Sequence, residues 1–332
     1  MGKSREGRPA FTLIEALTVV AIVGLVVGLT LPAVQSSREA ARSATCRNNL
    51  RQVATATLAF ESSARTLPDL YNGGSFPRPG SAIDEFHFHP WRTPILPALE
   101  RTDAFAALNL NLASSTPENQ TALNVSISTF LCPSSIRSTP NLPDVLAWAP
   151  TATNRATAVR VGTAALTDYE VVGGVRDPNS APGILSGVAF GAWGEPIQRA
   201  GSTYPSGYRK ARLSDVKDGL SNTALIGERA GRPDCRSQGR VVVPYQDPFD
   251  TRGCGDSHQA GWGISTHFPW LVFTEGQGVN RTNATGFYGF HPGGAAVAMG
   301  DGSVRGLRET TSPVILRALA TRAGGEMDRL DP

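Results

Sequence analysis

The sequence predicts an α+β protein in which one long N-terminal helix, first transmembrane and then amphipathic, packs on a β-rich, mainly antiparallel head. Three observations carry this. Residues 11–34 are apolar except for one carboxylate. A helical stripe continues the same element through residues 36–62. Beyond residue 66 the chain is punctuated by most of its 35 Gly and 24 Pro, and charged residues make up only 18% of the whole, a pattern of short strands and many turns.

Residues 1–10, MGKSREGRPA, form a basic leader with Lys3, Arg5 and Arg8. The run 11–34, FTLIEALTVVAIVGLVVGLTLPAV, follows. As a helix at ~1.5 Å per residue it reaches roughly 36 Å, enough for ~30 Å of hydrocarbon. The basic flank predicts a cytoplasmic N-terminus and an extracytoplasmic bulk. An ordinary secretory signal has an apolar core of ~7–15 residues and then a small-residue cleavage site; this run is longer and lacks such a site. Glu15 needs its own explanation, because a carboxylate in a membrane helix is costly unless it is paired. Near the helix start it meets the positive end of the dipole.

Residues 35–66 extend the helix. Cys46, Leu50, Val53, Thr57 and Phe60 recur at alternating spacings of four and three, with Ala54 and Leu58 beside them, while Arg38, Arg42, Arg47 and Arg51 mark the polar face. Thr66-Leu67-Pro68-Asp69 ends it. The stripe predicts a head packed on one side, with Cys46 facing it.

The head spans residues 67–332. Strand-like runs are Ser126–Leu131, Tyr169–Val175, Arg240–Tyr245 and Trp270–Thr274. Residues 138–165, rich in Ser, Thr, Pro and Ala, read as a linker candidate. Residues 295–307 read as a hairpin: Ala295–Met299, a turn at Gly300-Asp301-Gly302 with glycines at positive φ, and a return from Val304 to Leu307. His291 and Asp301 then stand at opposite ends of one strand, too far apart for a catalytic dyad. Asp301 is expected to bond turn amides, and His291-Pro292-Gly293-Gly294 to fix a loop.

Four cysteines, Cys46, Cys132, Cys235 and Cys254, contain no Cys-x-x-Cys pair, which argues against structural zinc. Two disulfides fit an extracytoplasmic body, with Cys46–Cys132 and Cys235–Cys254 as one of three pairings that the sequence allows. Asp215, Asp218 and Asn222 crowd one loop and are candidate Ca²⁺ ligands, against the commoner reading of an Asx-type turn. No other cofactor is expected. His87 and His89 alternate on one strand face without a third ligand. A net charge of +3 with scattered arginines argues against nucleic acid. No Gly-x-Ser-x-Gly, His-Glu-x-x-His or Walker loop appears, so no enzymatic activity is expected. Most of the five tryptophans are expected in the core.

Phe11-Thr12-Leu13-Ile14-Glu15 resembles the cleavage and methylation motif of type IV prepilins and type II secretion pseudopilins. The resemblance implies cleavage between Ala10 and Phe11 by a prepilin peptidase, N-methylation of Phe11, and a registry role for Glu15 between subunits. The family prefers Gly where this chain has Ala10. Pro32 resembles the proline near which pilin helices bend. Further phrases are similar to a large family of bacterial prepilin-type proteins abundant in planctomycetes. They are Cys46–Gln52, Trp91-Arg92 with Leu96–Glu100, Phe130–Ser134, Asp218–Thr223 with Gly227-Glu228, and His291 followed after nine residues by Asp301-Gly302. This implies a pilin-like, single-pass protein of the bacterial inner membrane with a periplasmic or surface head. Its implied partners are the peptidase, other pilin-like subunits, a secretion or pilus platform and the lipid bilayer. The alternative is a membrane-tethered binding protein for a solute or polysaccharide that uses this segment as its anchor.

Overall fold

The computed structural model describes residues 12–72, 75–77, 84–86, 89–112, 114, 116–147, 159–176, 188–194, 196–198, 205–208, 210–243, 260–263, 270–274 and 278–325. The Ala10–Phe11 junction, His87 and Cys254 lie outside them.

One helix, α1 (Leu13–Ala64), runs for 52 residues with Pro32 inside it. A reciprocal capping box starts it: the Glu15 amide donates to Thr12 Oγ1 at 3.3 Å, and the Thr12 amide donates to Glu15 Oε2 at 2.8 Å. Arg65 ends it in the left-handed conformation, donating its N–H to the Glu61 carbonyl. The two halves of α1 differ sharply. Leu13, Ile14, Leu17, Val20, Leu25, Leu29 and Leu31 are exposed, and this stretch is long and apolar enough to cross a membrane. Cys46, Leu50, Val53, Ala54, Ala56 and Thr57 are buried against the head, and Arg38, Arg42, Arg47 and Arg51 stay exposed.

The head is built on a six-stranded sheet, numbered here β1 (Tyr169–Arg176), β2 (Val188–Phe190), β3 (Ala224–Glu228), β4 (Trp270–Thr274), β5 (Ala295–Met299) and β6 (Val304–Leu307). The order is β4-β1-β3-β5-β6, with β2 also on β1. Every pair is antiparallel except β4 on β1. Strand alternation sorts the side chains onto two faces. Ala296 and Ala298 join the cluster containing Leu50, Val53, Tyr169 and Val171 on the α1 side. Ala295, Val297 and Met299 join Leu307, Leu316 and Leu319 on the other, under the helix Pro313–Ala320. A bulge between Ala224 and Ile226 puts both Leu225 and Ile226 on the α1 side. The small side chains of β5 let α1 lie close to the sheet. Trp91, Trp193 and Trp262 are buried in this core.

Three sequence expectations change. Ser126–Leu131 is not a strand: Ser128–Phe130 is a 3₁₀ turn. Its carbonyls are used elsewhere, those of Ser128 and Leu131 by Asn49 Nδ2 at 3.2 and 2.9 Å and that of Phe130 by the Asp168 amide at 2.8 Å. The 138–165 stretch is not a linker, because Asn141–Ala147 and Val159–Ala165 pair antiparallel and bury Leu142, Ala164 and Ala165; small residues suit a strand packed tightly on a core. In the β5–β6 turn Gly302 alone takes positive φ, at 83°, and Asp301 Oδ1 accepts the Ser303 amide at 2.9 Å. That single left-handed position, with the Asp301 bond, closes the turn.

Candidate functional site: a buried charged junction between helix and head

The junction begins with covalent and polar ties from α1. Cys46 and Cys132 form a disulfide with Cα atoms 5.0 Å apart. Tyr169 donates its hydroxyl to the Cys46 carbonyl at 3.0 Å, and burial raises its pKa well above that of a free phenol. About two helical turns earlier, Glu39 Oε1 receives His291 Nδ1 at 2.7 Å and Ser134 Oγ at 3.0 Å, while Arg42 Nε donates to Oε2 at 2.8 Å. Partial burial works to raise the Glu39 pKa, but the bonds from His291, Arg42 and Ser134 outweigh it and hold the carboxyl below its ordinary value.

His291 is therefore more than a loop anchor. A carboxylate only accepts, so Nδ1 carries the proton that faces Glu39. In the neutral ring this leaves the Nε2 lone pair directed inward. Nε2 lies 3.3 Å from Cys132 Sγ and 3.8 Å from Glu228 Oε1. Glu228, at the end of β3, is completely buried. Its Oε2 accepts the Ala296 amide at 2.9 Å, and Oε1 has no hydrogen-bond partner. Desolvation pushes its pKa from 4.5 up to about 8; the nearby Asp168 adds to the rise, and the Ala296 bond and Arg47 oppose it. Cys46, Cys132, Glu228 and His291 thus place four potential ligand atoms within 4.8 Å of one another.

A second layer holds this group in place. Asp168, also fully buried, accepts the Cys132 amide at 2.7 Å, Ser135 Oγ at 3.1 Å, the Gly231 amide at 3.2 Å and Arg137 at 2.5 Å. It therefore fixes the segment carrying Cys132 to the sheet. Behind it, Glu170 pairs with Arg92 at 2.6 Å and lies 3.5 Å from Arg232, and Trp91 Nε1 donates to it at 3.2 Å. Burial drives the Arg232 pKa down to about 9. Removing one member of such a buried set leaves an uncompensated charge.

The other sequence candidates fall elsewhere. Asp218 uses both carboxylate oxygens on the amides of Gly324 and Gly325, at 2.8 and 3.1 Å. Asp215 accepts the Arg212 amide, and Asn222 donates to the Asp218 carbonyl. Asp301 and Gly302 sit in the hairpin turn, away from the His291 ring. His89 is buried with Nε2 2.8 Å from the Leu112 carbonyl. Cys235 is disulfide-bonded. Glu39, Asp168, Glu170 and Arg137 were not singled out by sequence reading. The available signal was a charge set into an apolar strand, as in Tyr169-Glu170-Val171-Val172 and Leu225-Ile226-Gly227-Glu228. A cavity of about 410 Å³ opens beside the junction, lined by Ser36, Glu39, Arg47, His291, Pro292 and Gly306 among others.

A long helix with one bare apolar half and one half locked to a mainly antiparallel head defines the class: an α+β protein whose N-terminal helix is suited to a single membrane crossing. The chain belongs to the family described as protein of unknown function (DUF1559), SBP_bac_10, whose pattern matches residues 35–313. No curated protein matches the chain, and no solved structure does.

Proposed function

We propose that the chain is a membrane-anchored structural subunit of a pilin-like assembly, with the exposed half of α1 as anchor and packing spine and the head displayed outside the cytoplasm. The observation that carries this reading is the division of α1. Residues near its start expose a continuous apolar surface that the head does not cover, whereas the half from Cys46 onward is tied to the head by a disulfide and buried hydrogen bonds. A helix so divided transmits load between a membrane or filament core and an external domain. Glu15, in the first turn, has Thr12 as its partner and in an assembly would meet the amine of a neighbouring subunit.

Intact-mass and N-terminal analysis of the chain from native membranes tests the proposal. A chain beginning at methylated Phe11 is expected. A chain retaining Met1 would overturn processing and favour the tethered binding protein, for which the cavity beside Glu39 and His291 is the natural pocket. A cut after the apolar run would remove Glu15 and the spine together.

A further inference from the structure

We propose that Cys46, Cys132, His291 and Glu228 form a closed site for one thiolate-preferring divalent cation of the Zn²⁺ class when the Cys46–Cys132 disulfide is reduced. The reading is independent of any assembly. Four features of the junction support it.

The first is distance. A tetrahedral zinc site with bonds of roughly 2.0–2.3 Å has ligand atoms spaced by about 3.3–3.8 Å. His291 Nε2 is 3.3 Å from Cys132 Sγ and 3.8 Å from Glu228 Oε1, and all four atoms fall within 4.8 Å; the two sulfurs, bonded to one another here, reach ligand spacing only by separating on reduction. The second is the orphaned Glu228 Oε1, fully buried and facing the group with no hydrogen-bond partner. Such an atom carries a full desolvation penalty unless something fills the space before it. The third is the set of contacts that orient the ligands. His291 presents Nε2 inward because Nδ1 donates its hydrogen to Glu39 at 2.7 Å, the carboxylate–histidine arrangement that orients and strengthens metal-binding imidazoles. Asp168 steadies the Cys132 backbone and Tyr169 the Cys46 carbonyl. The fourth is ligand chemistry: two thiolates, one imidazole and one carboxylate suit Zn²⁺ and its Co²⁺ surrogate and exclude Ca²⁺ and Mg²⁺.

The exchange balances. A dithiol reductant opens the disulfide, becoming a disulfide itself and leaving two protein thiols. The cation then displaces both thiol protons, together with the carboxyl proton of Glu228 where that is present. Three anionic ligands around a dication leave one net negative charge, and Arg47 is the cation whose field reaches Glu228. The helix is thus held to the head by a covalent lock under oxidising conditions and by a metal lock under reducing ones.

The test uses the full chain in detergent, reduced with a dithiol, freed of it anaerobically and titrated with Co²⁺. One Co²⁺ per chain with a thiolate-to-cobalt charge-transfer band is expected. The oxidised chain and the C46S/C132S double variant, which retains Cys235 and Cys254, should show no such band. Glu228→Gln should keep the fold and weaken binding by about 10-fold or more. A reduced chain with native circular dichroism and no band would overturn the proposal. So would equal binding by C46S/C132S, or unchanged affinity in Glu228→Gln.

Discussion

Replacing Glu228 by Gln isolates the most unusual ionisable group in the molecule. The change keeps the side chain's shape and leaves an oxygen to accept the Ala296 amide, while the orphaned Oε1 position loses its capacity to ionise. The Glu228 pKa stands at about 8 in the folded chain against an ordinary 4.5. Because the folded value is the higher one, its stabilising contribution is complete below about pH 4.5 and is lost as pH rises through about 8. At ~1.4 kcal/mol per pH unit, the loss across that window is about 5 kcal/mol, most of it already present near neutrality. Complete burial means that solvent screening does not reduce this. The assay is urea unfolding of the oxidised full chain in mild detergent, followed by fluorescence of the buried Trp91, Trp193 and Trp262. The wild-type chain should lose stability between about pH 5 and about pH 9 relative to Glu228→Gln, so that the variant is the more stable protein at the alkaline end. Parallel pH profiles, or a variant less stable at every pH, would refute the argument that desolvation of Glu228 dominates.

Other perturbations read different parts of the junction. Cys132→Ser opens a disulfide between residues separated by 86 positions; the chain-entropy argument assigns it about 4.6 kcal/mol, so the urea midpoint of the oxidised chain should fall accordingly, and the difference from wild type should vanish when both chains are reduced. Asp168→Asn leaves Arg137 without its carboxylate partner and should cost about 3 kcal/mol, with increased protease sensitivity in the 130–137 segment. Gly294 has φ of 99°, and a Cβ there would lie 2.0 Å from the Leu307 carbonyl oxygen; Gly294→Ala should therefore lower the melting temperature through roughly 1–3 kcal/mol of strain, and an unchanged melting curve would show that the β5–β6 edge yields easily. Glu15→Val should leave membrane fractionation intact and abolish cross-linking between subunits, whereas persistent cross-linking would count against the registry role.

The sequence by itself determined the elements whose signals are local. An apolar run long enough to span a bilayer, a stripe with helical period and the Thr66-to-Asp69 break specify α1. Alternation and turn chemistry specify β1, β5 and β6. Cys46 could be placed on the buried face because helical geometry fixes which residues share a side. Ser126–Leu131 misled because its apolar alternation matches a strand, while the fate of its carbonyls depended on Asn49 and Asp168, far away in the chain. Only the tertiary structure decided the junction. Glu39 and His291 are separated by 252 positions and Cys132 and His291 by 159, and no spacing rule connects such pairs. Their chemistry arises because α1, the Cys132 segment, β3 and the loop before β5 are packed against one another, and desolvation there turns ordinary carboxyl, imidazole and thiol groups into a coupled site.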